Sequence, residues 1–116
     1  MKRLAKWAMT ACALLALSLA AAATAQAEGF TGADLLEWNR KNQRFYFETS
    51  ITMAGVIASQ NSLEQARCID RWHLGQEEKQ HSAILNAIRT YPSYHPQATI
   101  LAVLQNACGS FGYARQ

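Results

Sequence analysis

Apolar residues recur along this chain at helical rather than strand intervals. Leu35, Leu36 and Trp38 mark a short helix over GADLLEWNRKNQ (32–43), with Thr31 placed to cap it and Asp34 and Glu37 early in it, where the helix dipole favours acids. The pattern continues through FYFETSITMAGVIAS (45–59). Phe47, Ile51, Ala54 and Ala58 define one face, and Tyr46, Met53, Val56 and Ile57 widen the apolar surface. Gly55 lies in that stretch either as the point where a partner helix comes close or as a tolerated glycine. Residues 60–75 are the least periodic: Asn61–Ala66 predicts a helical turn before Cys68, and Ile69–Gly75 is too short and mixed to assign.

Periodicity returns in Gln76–Thr90, where His81, Ile84, Leu85 and Ile88 take the i, i+3, i+4, i+7 positions. Glu77 and Glu78 at its start and Arg89 at its end suit the dipole, and Tyr91-Pro92 stops it. A last helix begins at Pro96, with Ile100, Val103, Leu104, Ala107 and Cys108 inward and Gly109 as its C-cap. Ser110–Gln116 reads as a frayed tail. No internal repeat or strand-like alternation occurs, so the expected fold is all-α: a small domain of four to five helices.

The first 27 residues have a different character. Lys2, Arg3 and Lys6 precede an apolar stretch, Ala8–Ala23, and the small-residue site Ala25-Gln26-Ala27, which together predict a secretory signal peptide cleaved after Ala27. This leaves a single domain over 28–116 in the periplasm. It also changes the charge. The whole chain has 11 Lys+Arg against 8 Asp+Glu, and three of the cations belong to the signal, so the remainder is balanced. Balance removes the basic patch a nucleic-acid binder needs, and no basic amphipathic helix argues for a membrane surface after cleavage. Of three cysteines, Cys12 leaves with the signal. Cys68 and Cys108 remain as an even pair in an oxidising compartment, where a structural bridge is the expected outcome.

Candidate chemistry is sparse. With Cys68 and Cys108 paired there is no thiol nucleophile, and no serine stands in a G-x-S-x-G or S-x-x-K frame. Asp70, His73, Glu77 and His81 have roughly helical spacing, but no H-E-x-x-H or H-x-x-x-H pair accompanies them. His81 falls on an apolar stripe, where a hydrogen-bonded core histidine is the commoner outcome. No metal, cofactor or catalytic residue is therefore expected. Large side chains do gather on either side of the Gln76–Thr90 helix: Arg71-Trp72-His73 before it and Tyr91 to His95 after it. Trp, Tyr and Arg dominate binding energy at interfaces, although a tryptophan such as Trp72 serves equally to cover a small core. A binding module is favoured over an enzyme.

The order of several residues resembles the Rap1a/Tai family of periplasmic immunity proteins. Phe30-Thr31-Gly32-x-Asp34-Leu35-Leu36-x-Trp38 is similar to its opening, and Ala54-Gly55-Val56-Ile57-Ala58 to its glycine-containing second helix. Cys68-Ile69 is similar to its Cys-Ile-Pro element, with Asp70 in place of the proline. Ile88-x-x-Tyr91-Pro92-x-x-His95-Pro96-x-Ala98 and the closing Cys108 complete the likeness, which covers nearly all of 28–116. The second cysteine pair that family members often carry in the first two helices is missing. The resemblance implies inhibition by occlusion: binding a toxin delivered by a type VI secretion system, typically a peptidoglycan amidase, often as a homodimer. Asp70, Arg71, Trp72, His73, Tyr91 and Tyr94 are then expected in or near the recognition surface.

A second resemblance, to HdeA-like periplasmic acid chaperones, implies the holding of unfolded proteins at low pH. Those chains bracket most of the domain with their disulfide, whereas both cysteines here lie in the second half.

Overall fold

The computed structural model describes residues 29–111; the expected signal segment and the end of the tail lie outside the described residues. Five helices follow one another: α1 (Gly32–Leu36), α2 (Arg40–Asn61), α3 (Leu63–His73), α4 (Glu77–Thr90) and α5 (Pro96–Cys108). The fold is all-α. None of these helices is long and apolar enough to cross a membrane.

The first predicted helix is cut short. Thr31 and Asp34 form a reciprocal capping box, with the Thr31 N–H donating to the Asp34 carboxylate at 2.9 Å. The helix stops at Leu36, and Asn39 starts α2 by accepting the Asn42 N–H at 2.9 Å. A new polar cap at Asn39, three positions after Leu36, overrides the apolar spacing that suggests continuity. α2 then runs 22 residues to Asn61. Ser62 serves two helices: its N–H bonds to the Ala58 carbonyl at 2.7 Å, and its hydroxyl accepts the Gln65 N–H at 3.2 Å. The chain therefore reverses at one residue, and α3 returns along α2.

α3 corrects the sequence expectation most. The turn expected before Cys68 and the unassigned residues 69–73 form one continuous helix, whose inward row is Gln65, Ala66 and Ile69 with half-buried Cys68 and Trp72. The helical spacing is present, but small and polar residues carry it. Gly55 faces this helix. A Cβ added there would meet Ile69 and Asp70 at 3.9 Å, ordinary contact, so α3 passes beside Gly55 without requiring it.

The core joins Leu35, Phe47, Ile51, Ala54, Ala58, Ala66, Ile69, Ile84, Ile88, Ile100, Leu104 and Phe111. Phe111 is a second correction, because the expected frayed tail holds a buried ring at this position. Gln65 fixes the approach to it, donating from Nε2 to the Gly109 carbonyl at 2.8 Å and the Ser110 carbonyl at 3.1 Å. Cys68 and Cys108 are bridged, with Cα atoms 5.7 Å apart, tying α3 to the last turn of α5.

Gly32 docks α1. Its N–H and that of Ala33 donate to the Tyr94 and Pro92 carbonyls of the α4–α5 turn at 2.8 and 2.9 Å. A Cβ at position 32 would stand 2.8 Å from the Ile88 side chain, so only glycine permits this approach. Gln43, buried on α2, donates to the carbonyls of Leu35 and Leu36 at 3.1 and 3.4 Å, closing the other end of α1.

Two stability measurements follow. Replacing Cys108 by Ser opens a loop spanning 40 positions and is expected to cost about 4 kcal/mol on the chain-entropy account, read as a lowered urea midpoint matching that of the reduced wild type. Gln43→Leu leaves the Leu35 and Leu36 carbonyls without their buried donor and is expected to cost about 1–3 kcal/mol in the same titration.

Candidate interaction surface

The six residues expected at a recognition surface fall into two groups. Asp70 and Arg71 are exposed on the last turns of α3. Trp72 is half-buried against the core, and its carbonyl accepts the Gln80 Nε2–H at 2.9 Å. His73 is also half-buried, with its Nε2 3.1 Å from that of His81. Tyr91 and Tyr94 are exposed in the α4–α5 turn, their rings edge-on at 6.1 Å. Ten positions along α4 and its C-cap separate His81, beside the first group, from Tyr91 in the second, a displacement of about 15 Å along the helix. The two groups do not form one compact patch.

The tyrosine group adjoins another set of rings. Phe30 packs against Trp38 at 5.3 Å, His95 at 5.7 Å and Tyr46 at 6.0 Å, and Trp38 meets Tyr46 edge-on at 5.9 Å. These contacts join the segment before α1, the α1–α2 turn, α2 and the start of α5. Burial raises the pKa of the Tyr46 phenol, which favours its neutral form.

From this cluster an apolar row runs along the outer side of α2. Phe45 is 71% exposed, Met53 55%, Val56 53% and Trp38 42%. Thr49 and Thr52 lie between them, giving an i, i+4, i+7, i+8, i+11 series roughly opposite the buried series of Phe47, Ile51, Ala54 and Ala58. Trp38, Phe45, Tyr46, Thr49, Met53 and Gln97 border a shallow hollow of about 440 Å³. In the sequence Met53, Val56 and Ile57 only widen the apolar surface of this helix; in the fold all three are exposed. The signal for a second face lies in Phe45 and Met53, which cannot share a helix side with Phe47 and Ile51.

On the flank nearer α4, Arg40, Lys41 and Arg44 stand beside Glu78, Ser82 and His81 around a hollow of about 400 Å³. The Arg44–Glu78 ion pair is 3.5 Å long and exposed, a geometry that adds little stability. His81 is buried, and its pKa is lowered by burial and next by the charge of His73. The Glu77 carboxylate is held below its ordinary range, first by its own backbone N–H and then by the Gly75 N–H, which donates at 3.1 Å.

Structural contacts occupy the three histidines. His73 and His81 face each other, and His95 Nδ1 accepts the Gln97 N–H at 3.1 Å to cap α5. Among the described residues no group of three or more His, Cys, Asp and Glu side chains is placed to hold a metal ion. The arrangement supports recognition by shape and apolar contact.

Because Phe45 and Met53 contribute nothing to the core, Phe45→Ser and Met53→Ser are expected to change stability by no more than about 0.5 kcal/mol. Thermal unfolding checks this, with Phe47→Ser as the strongly destabilised comparison.

Comparison with protein-family models, with curated proteins and with solved structures returns no match for the chain.

Proposed function

We propose that this protein is an exported immunity protein, and that it occludes a cell-wall-degrading toxin through the outer face of α2. The observation that carries the reading is the row Phe45, Met53 and Val56, held exposed on a 22-residue helix whose opposite side is fixed in the core, with exposed Trp38 in the turn just before it. Contiguous apolar surface on so small a domain is costly in water and marks a place where a partner is bound. A preformed helix face also loses little conformational freedom on binding.

The chemistry of the partner follows from the surroundings. Glu48 borders a hollow with Phe45, Met53 and Val56, while Arg40, Lys41 and Arg44 line a separate one toward α4, so the complementary surface is apolar at its centre and charged only at its edges. The export signal read in residues 1–27 supports a partner in the periplasm, and the resemblance to the Rap1a/Tai family supports a type VI toxin, typically a peptidoglycan amidase. Tyr94 stands next in the chain to His95, which packs on Phe30, whereas Arg71 belongs to the separate end of α3.

The test is co-purification with the product of an adjacent gene encoding a peptidoglycan hydrolase, followed by affinity measurement. Phe45→Asp and Met53→Asp are each expected to weaken binding by about 30-fold or more, the scale of an interface hot spot, while Arg71→Ala changes it little. Loss through Arg71→Ala with no effect of Phe45→Asp would move the surface to α3. Absence of any complex that protects the cell wall would overturn the immunity reading. A dimer dispersed by Phe45→Asp would assign the face to self-association instead.

A further inference from the structure

His73 ends α3 and His81 lies in the second turn of α4, with only Leu74–Gln76 between the two helices. Their Nε2 atoms are 3.1 Å apart, and their rings are centred 5.3 Å apart. At that distance one nitrogen must donate and the other accept, which requires one ring to be neutral at Nε2. We infer that this pair is an acid-released latch on the α3–α4 corner: with at least one imidazole neutral it ties the end of α3 to α4, and with both protonated the tie is lost.

The surroundings decide how the latch behaves. From α2, Arg44 and Glu48 act on His81, and Arg40 and Lys41 border the same hollow. From α4, Glu77 acts on both rings, while Glu78 is engaged with Arg44. On α3, Asp70 and Arg71 precede the pair and are exposed. Glu48 and Glu77 favour protonation, but burial of His81 and the charge of His73 weigh more and lower its pKa. The buried Phe47 ring, centred 5.5 Å from His81, offers no acceptor to replace the lost partner.

Linkage gives the direction. The ordinary value for this imidazole is 6.5, and the folded value lies below it. Between the two, the unfolded chain binds more protons, so the stabilisation is complete above pH 6.5 and declines as the pH falls toward the folded value. The bond from Gln80 to the Trp72 carbonyl does not titrate. Release is therefore confined to the corner: Leu74–Gln76 and the last residue of α3.

Two measurements on the intact protein test the latch. In an NMR titration His81 has its midpoint below the ordinary imidazole range, and His73→Gln moves that midpoint upward by removing the neighbouring charge. In hydrogen exchange corrected for intrinsic rates, the amides of Leu74–Gln76 lose about tenfold protection between about pH 7.5 and about pH 5; in His73→Gln they do not. An unchanged His81 midpoint in the variant, or equal corner protection at both pH values in the wild type, overturns the inference. Should the variant fail to fold, the wild-type exchange profile decides alone.

Discussion

Helix ends in this domain are closed by side-chain amides reaching across from other helices. Gln43 of α2 takes the last carbonyls of α1, Gln80 of α4 takes the Trp72 carbonyl in α3, and Gln65 of α3 takes the Gly109 and Ser110 carbonyls beyond α5. All three glutamines are buried. A helix ends with carbonyls that have no partner of their own, and each left unsatisfied inside costs on the order of 1–3 kcal/mol. Short helices packed end against side cannot hide those groups from the core, so the amides make the packing permissible. The disulfide adds a covalent tie at one of the same places, where α3 meets the end of α5.

Much of this is legible in the sequence. The last two helices and the inward row of α2 follow from apolar spacing, and the Cys68–Cys108 bridge from the even pair of cysteines beyond residue 27. Other elements are hidden for definite reasons. α3 is obscured because Gln65, Ala66 and Cys68 hold inward positions where large apolar residues would signal a helix. The α1–α2 break depends on the Asn39 cap and the Gln43 amide, the latter acting across seven to eight positions. Phe111 sits inside because Gln65, more than forty positions away, holds the carbonyls before it. Tertiary partners of that kind leave no local mark.

The site was less visible than the fold. Arg71 and Tyr94 have interface chemistry but lie in separate regions, and chain order alone says nothing about their separation. The outer face of α2 was concealed by its own helix, because two apolar stripes on one helix read as a single broad one. The residues carrying the family resemblance are mainly architectural: Thr31 and Asp34 cap α1, Gly32 admits it against Ile88, and His95 and Pro96 start α5. Such residues build the scaffold and leave the binding surface unspecified.

The Ser62 corner sets α2 and α3 at a fixed angle, and the inner stripe of α2 fixes its rotation. The outer positions 45, 49, 52, 53 and 56 are thereby released from folding duty altogether. Their identities can change one at a time while the domain underneath stays constant. A lineage that must keep matching an adversary's altered surface would have on this one helix a set of positions free to drift, at almost no risk of losing the fold that presents them.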